Sequence, residues 1–183
     1  MKRLFGLLLL TVLSINSSFG SSEYTVSELE HGIYYHQGVH EDASEQNIGA
    51  IANVSFVIGD KCVAVIDSGG SYLEGSYLRQ AITDATDLPI CYVINTHVHP
   101  DHTFGNAAFK QDNPTFIGHS KLAAAMESRK TYFDRTFKDI LGSAYTGTEF
   151  IAPTLIVETN KPVTIDLGNR LLTLTAYSTA HTE

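Results

Sequence analysis

Between positions 96 and 102 the chain reads Thr96-His97-Val98-His99-Pro100-Asp101-His102, straight after the apolar run Ile90-Cys91-Tyr92-Val93-Ile94. Three imidazoles and a carboxylate crowded at the end of a buried strand cost desolvation free energy unless a partner offsets it. A bound metal ion is the partner these side chains have in common. In extended backbone, alternate side chains point the same way, so His97, His99 and Asp101 are expected on one face and His102 toward a neighbouring direction. That geometry suits two adjacent ions. Pro100 biases His99 away from helical backbone, which is expected to keep the ligand segment open until a helix begins near Thr103.

The residues before this cluster predict how it is held. Val54-Ser55-Phe56-Val57-Ile58 and the run from Cys62 to Ile66 are β-rich, and Gly59-Asp60-Lys61 joins them as a hairpin. Asp67 ends the second strand, and Ser68-Gly69-Gly70 lets the backbone turn sharply. Ser71 and Glu74 then stand three residues apart, the spacing of a capping box with Ser71 at the N-cap. Leu73, Tyr77, Ala81 and Ala85, with Leu78 and Ile82 beside them, predict a helix that packs one face on a sheet. Strand, helix and the strand from Ile90 form a β-α-β unit, whose parallel strands place Asp67 and His97 close together at their C-terminal ends.

Further along, Phe104 to Phe109 predict a short helix and Thr115 to Ile117 a short strand. His119 is read as a structural or cavity-edge residue. Ser120 is expected to cap a second helix with apolar positions at Leu122, Met126, Phe133, Phe137 and Ile140-Leu141. Gly142 to Pro153 reads as loop over the cleft, and strands are expected at Thr154 to Glu158, Val163 to Asp166 and Leu171 to Tyr177. Near the N-terminus, Tyr24 to Leu29 and Ile33 to His36 read as strands, and Glu41 to Asn47 as a polar loop bordering the site. His31, His36 and His40 are expected to be polar residues rather than ligands.

The His97-to-His102 motif, Ala64-Val65-Ile66-Asp67-Ser68-Gly69-Gly70 and Thr179-Ala180-His181-Thr182 together resemble the metallo-β-lactamase-fold hydrolases. Gly49-Ala50-Ile51-Ala52-Asn53, the run from Tyr92 through Phe109, and Phe116-Ile117-Gly118-His119 are most similar to the quinoprotein relay system zinc metallohydrolase branch. The resemblance covers roughly residues 24 to 183. It implies an α/β fold, the αβ/βα sandwich, of which this chain supplies the first half and the start of the second. It also implies one zinc ion on His97, His99 and His181, a second held in part by Asp101 and His102, and Asp67 as the residue behind them that holds the ligand loop. By the same resemblance, two zinc ions sharing a hydroxide would attack an ester, thioester or amide-type bond, a β-lactam among the candidates, with Asp101 orienting the nucleophile. The family's second site takes an acidic bridging residue and a further histidine from later in the fold, so a C-terminally truncated chain is expected. A single-iron oxidoreductase of the persulfide dioxygenase kind, or a metal-binding fragment without catalysis, are the other readings.

Length and charge bound the rest. At 183 residues the chain is one domain. Its formal charge of −8 and the want of any basic stripe exclude nucleic acid as the expected partner and leave a small-molecule substrate. Lys2-Arg3, the apolar run from Leu4 to Leu13 and Ser18-Phe19-Gly20 read as a signal peptide over residues 1–20, cut before Ser21. The domain at 21–183 is therefore expected in the periplasm or outside the cell, with no stable membrane anchor after cleavage. Cys62 and Cys91 are too few for a disulfide scaffold and read as buried small hydrophobes.

Overall fold

The computed structural model describes residues 24–178 and His181. The expected leader lies outside them, as do Thr179, Ala180, Thr182 and Glu183. Among the described residues, no helix is long and apolar enough to cross a membrane.

Seven strands form one sheet in chain order: β1 (Ser27–Glu30), β2 (Ile33–His36), β3 (Val54–Ile58), β4 (Val63–Ile66), β5 (Ile90–Ile94), β6 (Thr115–His119) and β7 (Leu155–Val157). Pairing is antiparallel from β1 to β4 and parallel from β4 to β7. The change of direction follows from the connections. Gly59 to Cys62 is short enough only for a hairpin, whereas helix α1 (Tyr72–Ala85) carries the chain back to begin β5 beside β4. The parallel half therefore directs the C-terminal ends of β4 and β5, with Asp67 and the histidine cluster, to one edge.

The two faces of the sheet are covered differently. On one face Val54, Phe56, Val63, Val65 and Val93 pack with Leu78 and Ile82 of α1 and with Phe109 of a 3-10 helix at Phe104–Asp112. Arg79 of α1 forks onto Asp112 through Nε and Nη2, both at 2.7 Å, and ties those two elements together. On the other face Val57, Ala64, Ile94, Ile117 and Val157 meet Ile165 and Leu167 of a small antiparallel hairpin, β8 (Val163–Asp166) and β9 (Leu171–Leu174). Helices, sheet and second sheet make the first half of an αβ/βα sandwich and the start of its second half. Helix α3 (Leu122–Leu141) joins the helical layer through Met126, Phe133 and Leu141, which gather around Phe104 and Val98.

Several local expectations are corrected. Of the expected apolar face of α1, Leu78 and Ile82 are buried, but Glu74 and Gly75 complete the buried stripe in place of the Leu73, Tyr77, Ala81 and Ala85 series, and Tyr77 is exposed. A glycine and a carboxyl lie where a helix would ordinarily present aliphatic side chains, because the 3-10 helix passes there at backbone contact distance. Ser71 is the N-cap and accepts from Glu74 N at 3.0 Å, but the Glu74 carboxylate reaches past Ser71 to Gly70 N. Ser120 does not cap α3: the helix begins one residue later, and His119 Nδ1 accepts from Lys121 N at 3.0 Å. Ile140 is exposed while Leu141 is fully buried. The segment after α3 opens with a 3-10 turn at Gly142–Tyr145, and it packs Tyr145 on Phe104 behind the ligand loop instead of covering the cleft. Cys62 is buried and Cys91 half-buried, both as free thiols.

Candidate metal centre

The ligand segment leaves β5 through Asn95, whose N–H donates to Ile117 O on the neighbouring parallel strand at 2.9 Å. Helix α2 (Pro100–Thr103) begins as soon as Pro100 can supply the first helical φ, with His99 at the N-cap. The expectation of an extended segment to Thr103 fails for this reason. The backbone bends through Thr96, His97 and Val98 and is extended at His99, which leaves the His97 and His99 rings with centroids 4.8 Å apart, while Asp101 rides with His102 on the helical turn.

Asp67 is the hub behind this loop. It is only 4% exposed and holds a left-handed φ of 57°, which turns its carboxylate back over the strand ends. Oδ1 accepts from Thr96 N, and Oδ2 accepts from Thr96 Oγ1 and from His102 Nδ1, each at 2.8 Å. The Thr96 hydroxyl, having donated its proton to Asp67, is left to accept from His97 Nδ1 at 3.0 Å. That relay puts the His97 proton on Nδ1 and turns the Nε2 lone pair toward His99 Nδ1, which it faces at 3.1 Å. Likewise His102, with Nδ1 engaged by Asp67, turns Nε2 toward Asp101 Oδ2 at 3.3 Å.

A second layer fixes the backbone of the loop. Asn95 and Asn106 exchange side-chain amide bonds at 2.8 and 3.1 Å, and Asn95 also donates to the His102 carbonyl. Ser68 donates its hydroxyl to Asn106 Oδ1 at 2.8 Å and its N–H to His102 O at 2.9 Å. All three side chains are buried, so each unsatisfied group would cost free energy and the set specifies one loop geometry. Sequence reasoning missed Ser68, Asn95 and Asn106 as parts of the site. The available signal was two asparagines flanked by apolar residues, one at a strand end and one within a helical run.

Electrostatics separates the four loop side chains into two kinds. Burial lowers His97 to about 4, helped by the neighbouring His102, and burial also lowers His99. Both are therefore neutral near pH 7, the form that binds metal. Burial alone would lower His102, but hydrogen bonds to Asp101 and Asp67 outweigh it and push His102 up to about 9. The same contact holds Asp101 below the ordinary carboxylate range despite its partial burial.

His181 arrives from beyond β9. One ligand atom from each of His97, His99 and His181 lies within 4.8 Å of the others, with His181 the exposed member. Three convergent imidazoles, at least two of them neutral, fit a divalent ion of borderline softness with a position left for water. Asp101 and His102 form an adjacent pair of donors, and none of His31, His36 and His40 joins a metal-type cluster among the described residues. His36 instead stacks on Tyr24, with ring centroids 4.0 Å apart. A cavity of about 380 Å³ opens beside His97, lined by Ile94, Ile117 and Leu122 and edged by Thr96 and His119.

A half-sandwich whose parallel strands deliver a histidine cluster to their C-terminal edge defines an α/β domain with a candidate metal centre. The sequence profile of the metallo-beta-lactamase superfamily matches residues 48–182, and the chain belongs to that superfamily. Among solved structures it is similar to a metallo-beta-lactamase from Pontibacter korlensis, at 14% identity and a TM-score of 0.57 over 81% of this chain and 58% of that one. A metallo-beta-lactamase from Hirschia baltica is similar at 12% identity and a TM-score of 0.55, over 78% of this chain and 56% of that one. One from Erythrobacter litoralis is similar at 12% identity and a TM-score of 0.53, over 76% of this chain and 52% of that one. The chain thus spans little more than half the length of these structures, and the likeness is one of fold. A comparison with curated proteins finds no match.

Proposed function

We propose that this chain carries the metal centre of an exported, zinc-dependent metallohydrolase acting on an ester, thioester or amide-type bond in a small molecule. The observation that carries the reading is the donor set: His97, His99 and His181 within 4.8 Å of one another, two of them neutral and one turned by the Thr96 relay to offer Nε2. His97, His99 and His181 would hold one zinc ion, and Asp101 and His102 would contribute to a second. Zinc bound there would supply a Lewis acid that polarises a carbonyl oxygen and makes a water acidic enough to attack at neutral pH.

The chain's own residues do the positioning. Asp101, held ionised by His102, would accept a hydrogen bond from the attacking water and aim it. As a ligand His102 would be neutral, and Asp67 keeps its Nδ1 engaged so that only Nε2 would be offered. The apolar wall of Ile94, Ile117 and Leu122 lowers the local dielectric beside His97.

Metal analysis of the purified protein, with a panel of chromogenic ester, thioester and β-lactam substrates, tests this proposal. Zinc with hydrolysis that chelation abolishes is the expected result. Iron with oxygen uptake on a persulfide substrate would replace hydrolysis by oxidation. Zinc with no turnover on any of the panel would leave a binding fragment.

A further inference from the structure

One ionisable side chain near the centre has no part in the mechanism above. Glu74, in the first turn of α1, is wholly buried. Its Oε2 accepts from Gly70 N at 2.6 Å, and its Oε1 has no protein partner. In a capping box the glutamate accepts from the N-cap N–H, whereas Glu74 accepts from Gly70, one residue before the Ser71 N-cap, so capping does not explain why a carboxyl is placed in the interior at a desolvation cost.

The packing above Glu74 does explain it. The carboxyl lies directly under the Gly69–Gly70 turn, where a Cβ on Gly69 would overlap the Glu74 carboxyl carbon. On its other side the turn meets two backbones: a Cβ on Gly70 would overlap Gly49 O and stand 3.2 Å from Asp101 Cα. No side chain intervenes between the Glu74 carboxyl, the turn and Asp101. The same turn holds the helical segment that carries Asp101 and His102, because Gly69 O accepts from Gly105 N at 3.0 Å and Ser68 N donates to His102 O at 2.9 Å. Asp101 has His102 as its side-chain ion partner, so its place depends on this backbone stack.

We propose that Glu74 is a positioning residue of the metal centre, setting where Asp101 stands by clamping the Gly69–Gly70 turn from below. The proposal rests on the metal reading of His97, His99, His181, Asp101 and His102. It requires reach: a side chain as long as glutamate, with an oxygen to accept from Gly70 N–H.

Glu74→Asp is one methylene too short, and Glu74→Gln keeps both length and acceptor. Cobalt(II) titration, followed by equivalents bound and by the ligand-field spectrum, reads the centre without needing activity. Expected is a drop in cobalt affinity of about 10-fold or more with altered ligand-field bands in Glu74→Asp, and recovery to within about threefold in Glu74→Gln. Parent-like affinity and spectrum in Glu74→Asp with only a lower Tm, or equal damage in Glu74→Gln, overturns the proposal. If Glu74→Asp does not fold, the unaltered chain decides. Coupling is reciprocal, so metal loading must slow hydrogen exchange at Gly70 N–H, and unchanged exchange overturns it. A parent chain that takes up no cobalt overturns the metal reading itself, and this inference with it.

Discussion

The two arms of the candidate centre are built in opposite ways. The arm from Asn95 to His102 is anchored at Asp67 by three 2.8 Å hydrogen bonds and backed by the buried Ser68, Asn95 and Asn106 network. The arm that brings His181 leaves β9, a strand with no fully buried residue, and ends in an exposed imidazole. One arm is rigid before any ligand binds, and the other completes the site from the surface. The difference teaches where the geometry of the candidate ligands originates: in hydrogen bonds behind the loop, made by residues outside the candidate ligand set.

The largest contrast is expected in metal affinity. Replacing His97 and His99 together by alanine should abolish tight binding, a loss of roughly 100-fold or more by zinc competition titration. Undiminished metal content in the folded double variant would remove the assignment. Asp67→Ala should come next, because it removes a buried carboxylate that accepts from the Thr96 N–H, the Thr96 hydroxyl and His102 Nδ1, and with it one of the two carboxylates, Asp101 and Asp67, that hold His102 charged. It should lower stability by about 3–5 kcal/mol in urea unfolding. A loss below about 1 kcal/mol would mean that the loop holds itself.

A pH effect of intermediate size belongs to the rigid side. Burial pushes the Glu74 carboxyl from 4.5 up to about 8. The folded chain therefore keeps a proton that the unfolded chain has lost. The stability this contributes is complete below 4.5 and disappears as pH rises through 8. In the metal-free protein each pH unit within that window should cost up to ~1.4 kcal/mol, and Glu74→Gln should remove that slope. Parallel stability profiles for parent and variant would show that Glu74 is ionised in the fold. The smallest effect is expected on the exposed arm. His181→Ala should change stability by no more than about 0.5 kcal/mol while weakening metal binding by roughly 10-fold. Damage equal to that of the double loop variant would erase the contrast between the arms.

Much of this was readable from the residues in order. The β-α-β unit, the parallel pairing of β4 with β5 and the proximity of Asp67 to the histidine loop follow from strand periodicity, a helix of crossover length and the handedness of such connections. Errors clustered where backbone contacts override side-chain periodicity. In α1 the pattern finds Leu78 and Ile82 but not the first turn of the buried stripe, because Gly75 meets Gly105 at backbone distance and leaves no room there for the aliphatic residue that a hydrophobic pattern seeks. Asp101 leaves the extended run because Pro100, which biases only the residue before it away from helix, itself fits the first turn of α2.

What the sequence determined by itself is the chemistry of the cluster and the strand that delivers it, since both are written in neighbouring residues. Only the tertiary structure decided how the cluster is oriented. Thr96 relays Asp67 to His97, Asn106 locks Asn95, His181 returns across about eighty residues, and Glu74 is buried beneath Gly70. Each depends on which backbones approach one another in space. Hydrogen-bond geometry between residues distant in the chain has no periodicity along it to read.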